Sequence, residues 1–171
     1  MKKQATRGAQ IPLAAEFNFA FNEFVVDSVD NTKKTLGSTV ANSTDPGETG
    51  LLGPVANTVV FDAIPLPIGA VVTGGEVIVE TAYAGSTAAT LSVGVAGATT
   101  ALANAVDLKT AARTALTLSA TSQLIANDGK NIRLTLAYTV ANATAGKVRV
   151  RLNFTIDGRQ VVEDEDRATI G

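Results

Sequence analysis

Three carboxylates in strand-like runs of this chain are available for acid–base work: Asp62 in NTVVFDA, and Glu76 and Glu80 in GEVIVETA. Two carboxyl groups roughly 5 to 9 Å apart can cleave a glycosidic bond, one acting as acid and the other as base or nucleophile. Glu76 and Glu80 are four residues apart, an even spacing that puts both on one face of a strand. Solubilising charges share that spacing, and no further residue type completes a site. The chain has no His and no Cys, so the commonest general base and metal ligand are missing, and thiolate chemistry with them. The expectation is a protein that is not an enzyme and carries no cofactor or metal.

Other motifs are equally bare. Glu163, Asp164, Glu165 and Asp166 form an acidic run, but it lacks the spaced ligands and turn glycine of a calcium loop. GETGLLG and GVAG are glycine-rich without a phosphate-binding lysine or a strand-to-helix setting. Asn42, Asn142 and Asn153 begin Asn-x-Thr triplets, which carry glycans only on a secreted chain. Arg133, Lys147, Arg149 and Arg151 lie on the polar faces of two strand-like runs. They are expected on one surface as a basic strip. Such a strip meets an anionic partner, or else it is an outer face whose charges pair with Glu76 and Glu80 across strands. A formal net charge of −2 and two inward-facing aromatics, Tyr138 and Phe154, argue against nucleic acid. Sugar-binding sandwiches use exposed aromatic platforms. With no Trp and only two Tyr, Tyr83, beside an expected loop, is the one candidate.

The elements that would position these residues are strands. In NIRLTLAYTV, Ile132, Leu134, Leu136 and Tyr138 alternate with polar or small residues; in KVRVRLNFTI, Val148, Val150, Leu152, Phe154 and Ile156 do the same. Period two marks half-buried strands, and the short link ANATAG predicts that the two pair as a hairpin. EFNFAFNEFVV alternates with Phe17, Phe19 and Phe21 on one face. NTVVFDA, GEVIVETA, ATLSVGV and TALTLSA read as further strands, and NDGK at 127–130 as a tight turn. Pro65 and Pro67 hold IPLPIG extended ahead of the strongest strand, and Gly74-Gly75 predicts a bulge inside it. LANAVDLKTAART reads as a short helix with Lys109 and Arg113 on one side, and 31–57 as a long loop. Many short strands with little helix give an all-β fold, an antiparallel β-sandwich or jelly roll. The expected plan is an N-terminal arm at 1–16, the sandwich at 17–158 and an acidic tail at 159–171.

The two ends carry opposite charge. Lys2, Lys3 and Arg7 begin the chain with no apolar run behind them, so neither a signal peptide nor a membrane anchor is expected. With the acidic residues 163–166 they are the candidate assembly contacts, because extended arms add strands to a neighbour's sheet edge.

IPLPIGAVVTGGEVIVETA, then ATLSVGV, then far downstream VRVRLNFTIDGR, in that order over residues 58–159, resembles small structural proteins of tailed bacteriophages, especially the cement or decoration proteins of the head. The resemblance implies a sandwich or jelly roll that assembles, often as a homotrimer, on the outer surface of the virion capsid and binds neighbouring subunits of the major capsid protein. No nucleic-acid or membrane partner is expected. A tail, head-to-tail or fibre-base component is the alternative within a virion, and a carbohydrate-binding module the alternative outside one.

Overall fold

The computed structural model describes residues 12–29, 31, 33–37, 58–118, 131–139 and 143–156. Ten strands make up the described architecture: β1 (Leu13–Ala20), β2 (Phe24–Val26), β3 (Lys33–Thr35), β4 (Thr58–Pro65), β5 (Ala70–Ala84), β6 (Ala88–Val95), β7 (Ala98–Asp107), β8 (Arg113–Ala115), β9 (Asn131–Thr139) and β10 (Ala145–Ile156). Sheet I has the order β1-β10-β5-β8, sheet II the order β4-β9-β6-β7, and β2 and β3 form a separate two-stranded sheet.

Apart from β2 and β3, the strands pair in nested order: β1 with β10, β4 with β9, β5 with β8, β6 with β7, all antiparallel. The chain is one long hairpin with its tip at the turn Ala96-Gly97. It doubles over so that β5 meets β10 in sheet I and β6 meets β9 in sheet II. That wrapped hairpin is the jelly roll, and the all-β sandwich expected from period-two patterning is the fold observed.

Two apolar faces make the core. Val148, Val150, Leu152 and Phe154 of β10 face Ile132, Leu134, Leu136 and Tyr138 of β9 across the sandwich, all buried. Burying a side chain of this size contributes roughly 1.5–3 kcal/mol, so these two strands anchor the sheets. Phe17 and Phe19 of β1 meet Phe61 of β4 with ring centroids 5.8 and 5.9 Å apart. At the other end Tyr83 of β5 stacks on Tyr138 at 6.5 Å. The bulge in β5 is present: Phe154 pairs with Val72 but Asn153 with Gly74, leaving Thr73 as an extra residue. One extra residue moves the buried set from even to odd numbers, as Ala70 and Val72 before it and Val77 and Val79 after it show. Gly75, at φ +154°, lets the backbone of β10 and Leu116 approach; a Cβ there would collide with the Arg151 carbonyl.

Several expectations are corrected. β9 and β10 are not a hairpin, because each is already engaged on both edges, β9 by β4 and β6 in sheet II and β10 by β1 and β5 in sheet I. The expected helix at LANAVDLKTAART is β7, a connection and β8. Its alanines favour helix only weakly, and pairing with β6 outweighs that preference. Ala105 at φ +50° and register shifts along β6·β7 hide the strand by breaking the alternation. Within 31–57, Lys33–Thr35 is a strand, and the rest of that loop, from 38, lies outside the described residues. Of the described part of TALTLSA, 114–118, strand covers Thr114 and Ala115. β1 begins at Leu13, so residues 13–16 belong to sheet I.

Candidate interaction surface

The outward side chains of β10 occupy the middle of sheet I. Arg151 lies directly between Glu16 of β1 and Glu76 of β5, and Arg149 and Lys147 follow at two-residue steps. Arg151 Nε is 3.6 Å and Arg149 Nη1 3.9 Å from the Glu16 carboxylate. Lys147 Nζ donates to Glu80 Oε2 at 2.8 Å, and Arg149 donates to the other oxygen of the same group. Arg113 of β8 grips Glu76 through two hydrogen bonds, of 2.9 and 2.5 Å. Those partners hold both glutamates below the ordinary glutamate pKa, Glu76 chiefly through Arg113 and Glu80 chiefly through Lys147. Four cations therefore face three carboxylates, leaving one net positive charge on the outer face. This is a cross-strand charge ladder, not the dense positive field that attracts a polyanion.

Arg133 does not belong to it. The hairpin expectation had put it beside Lys147, Arg149 and Arg151, but β9 lies in sheet II. There its guanidinium makes two bonds to Asp62 of β4, 2.7 and 3.0 Å long. The Arg133 hydrogen bonds hold Asp62 below its ordinary pKa. All three carboxylates considered for acid–base work are thus ion-paired, with none raised toward the range of a general acid. Among the described residues no group of three His, Cys, Asp or Glu side chains converges on a metal position.

Tyr83 is not a sugar platform either. Its ring is fully buried, with Gly146 packed flat beneath it and its Oη 3.4 Å from the Leu36 carbonyl. A tyrosine reads the same in sequence whether it faces in or out, and here the β5 parity set by the bulge turns it inward. Lys109 and Arg113, expected side by side on a helix, are apart: Lys109 Nζ donates to the Ser86 carbonyl at 2.6 Å.

The sequence reading missed Asp27. Among the described residues it is the one acid with almost no exposure, 1%. Its carboxylate accepts from Lys34 Nζ at 2.9 Å, Val60 N at 3.0 Å and Val29 N at 2.8 Å. Burial pushes its pKa up, and the Lys34 ammonium with the two N–H groups more than offsets this, leaving it below the usual value. Asp27 thereby ties the β2–β3 sheet to the edge of β4, where Ser28 N also donates to Val60 O at 2.6 Å. The signal was a single acid between Val26 and Val29; the bond to the N–H two residues on is an Asx-turn. Three apolar side chains in or just after β2 are exposed, Phe24 at 44%, Val26 at 60% and Val29 at 73%, and Lys33 Nζ lies 5.0 Å over the Phe24 ring.

Lys2, Lys3, Arg7, Glu163, Asp164, Glu165 and Asp166 lie outside the described residues.

No protein-family model and no curated protein matches the chain. Among solved structures it is similar to a chain of the cyanophage Pam1 capsid asymmetric unit, with a TM-score of 0.51 and 19% sequence identity over 90% of this chain and 93% of that one. Near-equal coverage means that the two chains are of similar length, so the likeness is one of whole fold to whole fold.

Proposed function

We propose that this protein is a structural component of a phage virion, which binds the outer surface of the head and cements neighbouring subunits of the major capsid protein. The observation that carries this reading is the end-to-end likeness of its jelly roll to a chain of a phage capsid asymmetric unit. Jelly rolls also serve as lectins and enzymes, so fold alone is an analogy. The order of the sequence phrases that resembles head cement proteins is an independent support, and so is the state of the candidate chemical residues: the acids are paired and the tyrosines buried.

The role needs no catalytic step. A ligand that binds only the assembled shell stabilises it by mass action, more strongly the further its concentration exceeds Kd. A charge ladder close to neutrality suits repeated side-by-side packing of copies, which a strong single-sign field opposes. Homotrimeric assembly and the terminal contact residues belong to this proposal as well.

Stoichiometry tests it. Purified particles should carry the protein in hundreds of copies, and heads lacking it should take it up and withstand higher temperature; about a dozen copies at one vertex would instead make it a tail or collar component.

A further inference from the structure

The outer edges of the two large sheets belong to β1, β8, β4 and β7, and three of them are obstructed. β4 has a register shift after Asp62 and ends in Pro65, and its Val60 already binds Asp27 and Ser28. β7 carries Ala105 at φ +50° and register shifts against β6. β8 is three residues long, and just past it Leu116 N donates to Gly75 O and Thr117 N to Leu102 O, lacing β5 to β7 on that side. β1 differs. Its eight residues pair with β10 without a register shift and contain no Pro, and among the described residues no strand lies along its other edge.

The groups on that edge can be named. Phe21 N donates to Gly146 O at 3.0 Å, one step beyond the Ala20↔Lys147 pair. Bonded and non-bonded pairs alternate along an antiparallel ladder, so the odd residues of β1 bond to β10. The N–H and C=O groups of Ala14, Glu16 and Asn18 therefore point away from it, and such a row is a template for another strand.

We propose that this edge binds the same edge of a second copy, antiparallel about a two-fold axis at Phe17. A two-fold contact sets a surface against itself, and the residues of β1 favour one register. An axis at Glu16 would oppose like charges, which destabilises a strand pair. An axis at Ala15 would set Pro12, which has no N–H to give, against Asn18, and one at Asn18 would run half of the ladder into the turn after Ala20. With the axis at Phe17, Glu16 of each copy exchanges backbone bonds with Asn18 of the other. The two Phe17 rings, each half-buried beside Phe19 and Phe61, then meet at a closely spaced pair, where aromatic side chains attract. On the outer face the incoming Glu16 stands next to Asn18, whose neighbour on β10 is Arg149, so the charge ladder continues from one copy into the next with no like charges opposed.

A contact one strand wide buries less surface than a stable dimer needs, so it forms at high concentration or where copies are held side by side. It does not rest on the shell-binding role, and it is distinct from the three-fold contact proposed with that role: it would join copies of separate trimers.

The chain has no cysteine, so engineered thiols report without interference. Glu16→Cys mixed with Asn18→Cys, at concentrations in the millimolar range and mildly oxidised, should give the mixed disulfide dimer about tenfold faster than either variant gives a dimer with itself, because directly opposed residues lie within disulfide reach and those one step along the ladder do not. Asn18→Pro removes an outward N–H that β10 does not use, a change that an edge strand tolerates. It should keep the circular dichroism of the natural chain and lose the doubling of mass that the natural chain shows by sedimentation at the same concentration. Equal rates in the three mixtures, a variant that pairs fastest with itself, or unchanged association of a folded Asn18→Pro would overturn the proposal.

Discussion

Lys34 Nζ rests 2.9 Å from a carboxylate oxygen of Asp27, an acid whose side chain is only 2% exposed, and this pair fixes a two-stranded sheet to the side of the sandwich. Two strands alone are barely stable in water. Asp27 supplies the missing attachment, since the same carboxylate also binds Val60 N of β4. Asp27→Asn should therefore lower stability by about 1–3 kcal/mol, the cost of losing charged hydrogen bonds at a buried site. For a domain of this size that is roughly 3–9 °C in Tm. An unchanged Tm would show that the small sheet is held by its other contacts, Leu36 foremost.

The same carboxylate makes stability depend on pH in acid. Its folded pKa is lowered, so the folded state binds fewer protons than the unfolded chain through that range. The contribution is complete above the unfolded aspartate value and is lost as pH falls through the folded one. Asp62, lowered by Arg133, adds to it with the same sign. Stability measured by denaturant between about pH 5 and pH 2 should fall steeply for the natural chain and less steeply for Asp27→Asn. Parallel curves would remove Asp27 from the account.

At alkaline pH the two tyrosines should act as reporters. Burial raises the pKa of both Tyr83 and Tyr138 well above that of a free phenol, and the chain has no Trp. A raised pKa on a group that is neutral when protonated gives stability that is complete below the unfolded value and lost as pH rises past it. Absorbance of phenolate should thus stay flat through about pH 10 and then rise in step with loss of circular dichroism. A smooth titration centred near pH 10 with the fold intact would contradict the burial of these rings.

Gly146→Ala tests the floor under Tyr83. A Cβ there would press into the ring, only 2.8 Å from its Cγ, on a residue at φ +155°. Overpacking of this kind costs about 1–3 kcal/mol, and the backbone conformation adds to it. Pairing the change with Tyr83→Leu should recover part of the loss; no recovery would mean that backbone strain alone sets the cost.

The charge ladder predicts a weak phenotype and a gain. Glu80→Gln should alter stability little, because exposed pairs contribute little and salt screens them. Glu80→Lys, which takes from Lys147 and Arg149 their shared carboxylate, leaves Arg149 only its 3.9 Å contact with Glu16 and adds a third cation, should bind a heparin column that the natural protein passes through. Retention of the natural protein at physiological salt would restore the basic-strip reading.

The strands were legible because a half-buried strand must alternate. Val148, Val150, Leu152 and Phe154 could face only one way. Which strand each would pair with was not legible. NIRLTLAYTV and KVRVRLNFTI are neighbours in sequence, and a short link favours a hairpin between them. Only the partners already waiting on both edges of each strand send them to opposite sheets, and those partners lie far away in the chain. Arg133 was misplaced for that reason and no other, since its own outward orientation was read correctly. Asp27 was overlooked because a buried acid and a surface acid look alike until the lysine seven residues on and a backbone N–H from β4 converge on it.

The nested pairing bears on how the protein can be made. β10 is the last of the ten described strands in chain order, yet it sits in the interior of sheet I between β1 and β5. While a ribosome is still adding residues, the edges of β1 and β5 that β10 will occupy are open. Such edges are templates for association with other chains, and contacts so remote in sequence form slowly. The sandwich therefore becomes complete only after synthesis has passed Ile156, and a nascent chain stalled short of that point is the form most exposed to aggregation.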